Sequence, residues 1–105
     1  MALTRNFKET VRDRAQSDPA FRVALLKEAI EQLLDGDSVT GRKILGNYIN
    51  ATIGYPSLGK LVGTDPKSLM RMLGPKGNPR ANNIFGIIHQ LKQHEGVEFD
   101  VQVGA

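Results

Sequence analysis

Two basic side chains, Lys67 and Arg71, stand one helical turn apart in the segment from residue 66 to residue 73. An arginine guanidinium is a rigid fork of donors that can bind O6 and N7 of a guanine together, and a lysine ammonium can approach the same acceptors. Met70, on the same stretch, offers an apolar contact of the kind that suits a thymine methyl group. This chemistry is recognition, with no bond made or broken. We predict base contacts from Pro66, Lys67, Ser68, Met70 and Arg71.

The elements that must carry these side chains form a helix-turn-helix pattern between residues 56 and 73. Gly63 can adopt the positive φ of a turn between two short helices, and Asp65 followed by a proline is a typical helix start. Gly59 carries no side chain, so the second helix can approach the first closely. In this motif the second, recognition helix, here at about residues 65–73, places its N-terminal residues against base edges in the major groove.

Basic and polar residues that suit DNA phosphates flank the predicted recognition helix. Asn78 and Pro79 predict the start of the last helix, and a helix N-terminus attracts phosphate through its free N–H groups. Contacts of this kind position a protein on DNA without reading its sequence. The predicted phosphate contacts are Lys60, Lys76, Asn78 and Arg80, with Arg42 and Lys43 as weaker candidates.

The distribution of charge also bears on the partner. Of the 14 Lys and Arg residues, eight lie in residues 41–95, against two acids. Residues 1–40 carry six basic and seven acidic residues, and residues 96–105 carry two acids and no base. The net charge of +3 therefore conceals a basic block that coincides with the predicted motif. Such a block favours a polyanion as partner, the alternative being a merely solvated surface.

The apolar residues recur with helical spacing through most of the 105-residue chain. We predict an all-α fold, with a compact five-helix domain over residues 17–96 that contains the helix-turn-helix. A helical extension precedes it at residues 1–16, where Leu3, Phe7 and Val11 form one apolar stripe that can dock on the domain.

The C-terminal residues 97–105 follow a different pattern, in which apolar and polar residues alternate. This period of two predicts a β-strand. A single strand cannot satisfy its own backbone donors and acceptors, so the expected partner is the same strand of a second copy. The sequence thus predicts a homodimer, the alternative being a frayed tail. The predicted dimerisation residues are Val97, Phe99, Val101 and Val103.

The residues that other chemistries need do not occur in suitable patterns. The chain has no cysteine, which excludes disulfides and thiolate metal sites. His89 and His94 are five residues apart, not the three or four that place two metal ligands on one helix face. With no Ser-His-acid set, we predict no enzyme activity, no metal and no cofactor. The N-terminus resembles no signal peptide, and no apolar run approaches the roughly 20 residues that span a bilayer, so we expect a cytoplasmic protein without membrane contact.

Three segments resemble the addiction-module antidote proteins, which are small bacterial helix-turn-helix regulators of the phage-repressor type. They are residues 29–37 (AIEQLLDGD), the predicted motif at 56–73, and residues 73–79 (LGPKGNP) with the helix and strand that follow. The resemblance covers roughly residues 21–103, and its most specific part is the turn from Gly77 to Pro79. It implies a phage-repressor-like fold.

The resemblance also implies an antitoxin, which binds and inhibits a toxin of the RelE/ParE or HigB kind encoded beside it and represses its own operon through a palindrome. The family's groove-facing positions fall on Pro66, Lys67, Met70 and Arg71. Many members carry an Arg-Glu pair and a Tyr in this helix, so a relative's operator sequence does not transfer to this chain. Residues 1–20 lie outside the usual pattern. A member with no toxin gene nearby is simply a transcriptional regulator.

The alternative function is that of a protein-interaction module that sequesters a toxin or another partner without binding DNA specifically. Salt dependence distinguishes the two, because a DNA-binding protein releases counterions from the phosphates and loses affinity steeply as salt rises. A module that binds only proteins does not bind duplex DNA at physiological salt.

Overall fold

A computed structural model describes residues 3–104 of the chain, and the side chains from residue 9 onward. All the regular secondary structure of this described part is helical, and none of its helices has the length and apolar character needed to cross a membrane. The helices are α1 (Leu3–Ser17), α2 (Pro19–Leu34), α3 (Ser38–Ala51), α4 (Tyr55–Val62), α5 (Pro66–Met72) and α6 (Ala81–Glu95).

Aspartates cap the starts of the two central helices, α2 and α3. Asp18 accepts a hydrogen bond from the backbone N–H of Phe21 at 3.1 Å at the start of α2, and Asp37 accepts one from Thr40 at 3.1 Å at the start of α3. Such N-caps satisfy donors that have no partner within the helix. The bonds from Thr40 also lower the pKa of the Asp37 carboxyl, because they favour its charged form.

The core forms between α2 and α3 and the three helices that follow them. Its largest fully buried side chain is Tyr48 of α3, surrounded by aliphatic residues from five helices. This arrangement fixes α4, α5 and α6 on one body, so the residues they expose keep a defined relation to one another. The other large, fully buried core residues are Leu26, Leu45, Ile49, Leu58, Leu69, Ile87 and Leu91.

The described chain has six helices, whereas the sequence predicted a five-helix domain with a separate extension. The extension is α1, and it packs against α2 and α3. Ala15 of α1 is fully buried, and its carbonyl accepts a hydrogen bond from Arg22 Nη1 of α2 at 2.6 Å. Of the predicted apolar stripe, Val11 is half-buried, while the side chains of Leu3 and Phe7 lie outside the described residues.

The prediction of a C-terminal strand is wrong for the described residues 97–104, which form no regular secondary structure. Gly96, with a φ of +74°, ends α6, and the chain then turns so that Phe99 packs against the domain's own core. The alternation does not continue as two environments, because the apolar Val101 and Val103 are 83% and 93% exposed. Of the proposed dimerisation residues, Phe99 is thus partly buried on the protein's own core, and Val101 and Val103 are the exposed ones.

Candidate nucleic-acid interface

Helices α4 and α5 approach each other closely at Gly59. A Cβ atom added there would lie 2.5 Å from the carbonyl oxygen of Thr64, a separation that real Cβ atoms do not show. The backbone N–H of Thr64 also donates to the carbonyl of Gly59 at 3.0 Å. Gly63 between them has a φ of +71° and a ψ of +33°, the left-handed conformation that glycine adopts without steric cost. The predicted close approach and turn are both confirmed.

Helix α5 begins and packs as its sequence indicates. Asp65 is its N-cap and accepts a hydrogen bond from the backbone N–H of Ser68 at 3.3 Å, and Pro66 occupies the first turn. Leu69 and Leu73 are buried, with 1% and 5% of their surface exposed. One side of α5 is thus fixed to the core, and the opposite side faces outward.

The outward side of α5 carries three of the five predicted base contacts. Lys67 and Arg71 are exposed, and Met70 is 49% exposed. Since residues three and four apart share a helix face, these side chains form one small surface that is basic with an apolar centre. Pro66 and Ser68 are half-buried, at the turn toward α4. They contribute more to the start of the helix than to its outward surface.

All four predicted phosphate contacts are exposed, and so are accessible to a ligand: Lys60, Lys76, Asn78 and Arg80. The nearby acids do little to neutralise them. Within residues 41–95, all of which are described, Glu95 is held in an ion pair with Arg22 and its side chain is 7% exposed. Asp65 is then the only exposed acid of this segment. Six of the eight basic residues of the block are exposed in the folded protein, and we call them its basic surface: Lys43, Lys60, Lys67, Arg71, Lys76 and Arg80.

The predicted start of the last helix at Asn78 and Pro79 is wrong. Helix α6 begins at Ala81, and its N-cap is Arg80, whose backbone is extended and whose side chain makes no capping hydrogen bond. Residues 77–80 instead form an irregular connection, in which Gly77 is packed against the end of α5. A Cβ atom at Gly77 would collide with the carbonyl oxygen of Met72 and lie 2.6 Å from that of Arg71.

Arg42, a weaker candidate for a phosphate contact, is buried within the protein and does not contribute to the basic surface. It is 5% exposed, and its Nη1 donates to the carbonyl of Gly74 at 2.6 Å and, more weakly, to that of Met72 at 3.4 Å. This role was not predicted from the sequence. The position of a basic residue beside the buried residues of α3 indicates a possible buried side chain, but it does not identify the carbonyl groups that accept its hydrogen bonds. Lys43, its neighbour, is exposed.

A second polar cluster lies beside the core, and no sequence pattern predicted it. Glu95 of α6 accepts hydrogen bonds from the Tyr48 hydroxyl at 2.5 Å and from Arg22 Nε at 3.0 Å. Burial raises the pKa of Tyr48 well above its ordinary value, and the adjacent Glu95 carboxylate raises it further. The cluster joins α2, α3 and α6, and we assign it a structural role because every charged member has a partner.

The remaining candidates are side chains that could bind a metal ion, and they form no cluster among the described residues. No group of three or more His, Asp or Glu side chains that could hold a metal ion occurs among the described residues. His89 and His94 are both exposed on α6. Comparison of the chain with family models, with curated proteins and with solved structures gave no match.

Proposed function

We propose that the protein is a sequence-specific DNA-binding transcriptional regulator that reads the major groove with α5. The observation that carries the proposal is the construction of the α4–α5 pair. Gly59 has no side chain, so α4 lies close against the start of α5, and this contact sets the position of one helix relative to the other. Leu69 and Leu73 are buried and hold α5 on the core. Lys67 and Arg71 are thereby left outward on a basic surface. This is the arrangement that a recognition helix requires.

The exposed residues divide naturally by role. Arg71 and Lys67 suit guanine acceptors, with Met70 against a thymine methyl group. Lys60 on α4 and Lys76 in the connection after α5 lie at the two sides of the recognition helix in the chain, where phosphate contacts fix its orientation. Asn78 and Arg80 in the same connection add to the second group. Specificity then resides in α5, and most of the affinity in the residues around it.

We further propose that the protein acts as a homodimer on a palindromic operator, as the antitoxin of a toxin–antitoxin pair that represses its own operon. The antitoxin role is supported by the resemblance of three sequence segments to the addiction-module antidote proteins. The dimer is supported by the exposed apolar side chains of Val101 and Val103, which contact with a second copy would remove from water. The toxin partner would be a protein of the RelE/ParE or HigB kind.

The deciding experiment is binding of the purified protein to a labelled duplex from its own promoter, with a scrambled duplex of equal length and composition, across a salt series. We expect tight binding to the promoter duplex at near-physiological salt and weak binding to the scrambled one. Equal, weak binding to both that disappears as salt rises would mean that the basic surface binds polyanions without reading sequence. That result would favour the protein-sequestering module instead.

A further inference from the structure

The C-terminal end of α5 is held by a side chain from another helix. The last carbonyl groups of any helix lack partners within it. Here Arg42 Nη1 supplies a donor to two carbonyls at this end, at 2.6 Å for Gly74 and 3.4 Å for Met72. A guanidinium also complements the partial negative charge at a helix C-terminus.

The guanidinium is itself fixed at its other side. Arg42 Nε donates to the carbonyl and to the hydroxyl of Ser38, each at 3.1 Å, so the side chain is bound to α3 one turn away. Arg42 is the only charged residue among the buried residues of the described chain. Its hydrogen-bond partners within the described part are neutral oxygens. A buried cation with neutral acceptors only costs desolvation free energy, which favours a geometric role for it.

We propose that Arg42 is a positioning residue for DNA reading, an inference that rests on the proposed function. It ties the end of α5 to α3, and so sets where Arg71, in the last turn of α5, stands relative to Lys76, two residues beyond Gly74. Arg71 can then contact a base while Lys76 contacts a phosphate of the same DNA site. Without Arg42, the Gly74 carbonyl keeps only the backbone N–H of Gly77 as a donor, and the Met72 carbonyl loses its donor from Arg42. We expect the connection to move so that water can replace the lost guanidinium.

The test replaces Arg42 by methionine, which keeps much of the volume but has no donor, and uses Lys43→Met as the matched control. Lys43 is the exposed neighbour on the same helix, so its loss removes the same charge without touching α5. The first measurement is backbone amide hydrogen exchange at Gly74, Lys76 and Gly77 in the free protein. The second is the affinity for the promoter and scrambled duplexes across a salt series.

We expect Arg42→Met to speed exchange in residues 74–77, and to weaken promoter binding by about tenfold or more, since a lost buried hydrogen bond is worth roughly one such factor. Binding to the scrambled duplex should keep its salt slope, because Arg42 is not on the surface. Arg42→Lys retains the charge but not the forked set of donors, so its exchange rates and its promoter affinity should lie between those of Arg42→Met and the wild type. It also serves as the variant to compare if Arg42→Met does not fold. Lys43→Met should leave exchange unchanged.

The outcomes separate the two proposals. A wild-type protein that does not distinguish the duplexes overturns the proposed function, and with it the DNA-reading role of Arg42. A wild-type protein that does distinguish them, with Arg42→Met equal to it in exchange and in promoter affinity, overturns the positioning role alone. A scrambled-duplex salt slope that falls by about one in Arg42→Met would instead make Arg42 a direct phosphate contact.

Discussion

The hydroxyl of Tyr48 donates a hydrogen bond to Oε1 of Glu95 across 2.5 Å, which joins the middle of α3 to the last residue of α6. The single Nε–H of Arg22 is shared between the two oxygens of the same carboxylate, at 3.0 and 3.2 Å, and Nη1 of Arg22 donates to the carbonyl of Ala15 in α1. Glu95 therefore joins α6 to α2 and α3, and Arg22 extends the cluster to α1. Since the cluster is fully partnered, the loss of any member leaves a charge or a donor uncompensated.

Replacing Arg22 by methionine should destabilise the fold strongly. Glu95, with 7% of its side chain exposed, would lose its cation, and breaking a buried pair from one side costs about 3–5 kcal/mol. We expect the lower end, because Arg22 is itself 24% exposed. Urea unfolding measures the change. The control is the double variant Arg22→Met with Glu95→Gln, which should recover part of the loss. A double variant less stable than Arg22→Met would contradict the pairing.

Tyr48 should make the fold sensitive to alkali. Its pKa is raised in the folded protein, so its stabilisation is complete below the ordinary tyrosine pKa of 10.0 and is lost as the pH rises above that value. In Tyr48→Phe this loss is absent. The free energy of unfolding, measured by urea titration from about pH 9 to 11, should therefore fall less steeply for Tyr48→Phe than for the wild type. Equal slopes would show that Tyr48 ionises as readily in the folded state as in the unfolded state.

Two glycine-to-alanine substitutions should have opposite effects. In Gly59→Ala the new methyl meets the Thr64 carbonyl at 2.5 Å, and because that atom is backbone, α4 and α5 must move apart. We expect a loss of about 1–3 kcal/mol together with weaker promoter binding. The matched control is Gly86→Ala in α6, which has open space around its Cβ. There alanine should stabilise the helix by about 0.5–1 kcal/mol, as read from thermal unfolding. Equal stabilities would rule out the close contact.

Arg71→Ala and Lys76→Ala should separate sequence reading from phosphate binding. Loss of Arg71 should cost about 1–3 kcal/mol on the promoter duplex and relax the preference at one base pair. Loss of Lys76 should weaken binding to all duplexes alike and flatten the salt slope by about one. Fluorescence anisotropy with single-base variants of the promoter duplex measures both. Wild-type affinity and preference in both variants would exclude α5 as the recognition helix.

Substitutions in the C-terminal residues should distinguish those that stabilise the fold from those that form the dimer. Replacing both Val101 and Val103 by aspartate should give a monomer with unchanged stability, because both side chains are exposed. Phe99→Ala should instead lower the free energy of unfolding, since this ring packs on the core. Light scattering and urea unfolding give the two readings. A dimer that persists in the aspartate variant would place the dimer interface elsewhere on the protein.

The sequence by itself determined the local features of this protein. Asp65 caps α5 at the predicted place, and Gly63 makes the predicted turn. Each of these features depends on atoms within about four residues, so residue type and spacing suffice. The exposure of Lys67 and Arg71 followed in the same way, because the apolar residues of α5 are read directly from their spacing.

Only the tertiary structure decided what depends on residues far apart in the chain. Arg42 contacts Gly74 across 32 positions and Tyr48 contacts Glu95 across 47, and no local pattern identifies a hydrogen-bond partner so far away in the chain. Likewise, alternation in residues 97–103 has a period of two whether the inner face meets another strand or the domain itself. Phe99 packs against the core of its own domain, because this contact removes the apolar ring from water.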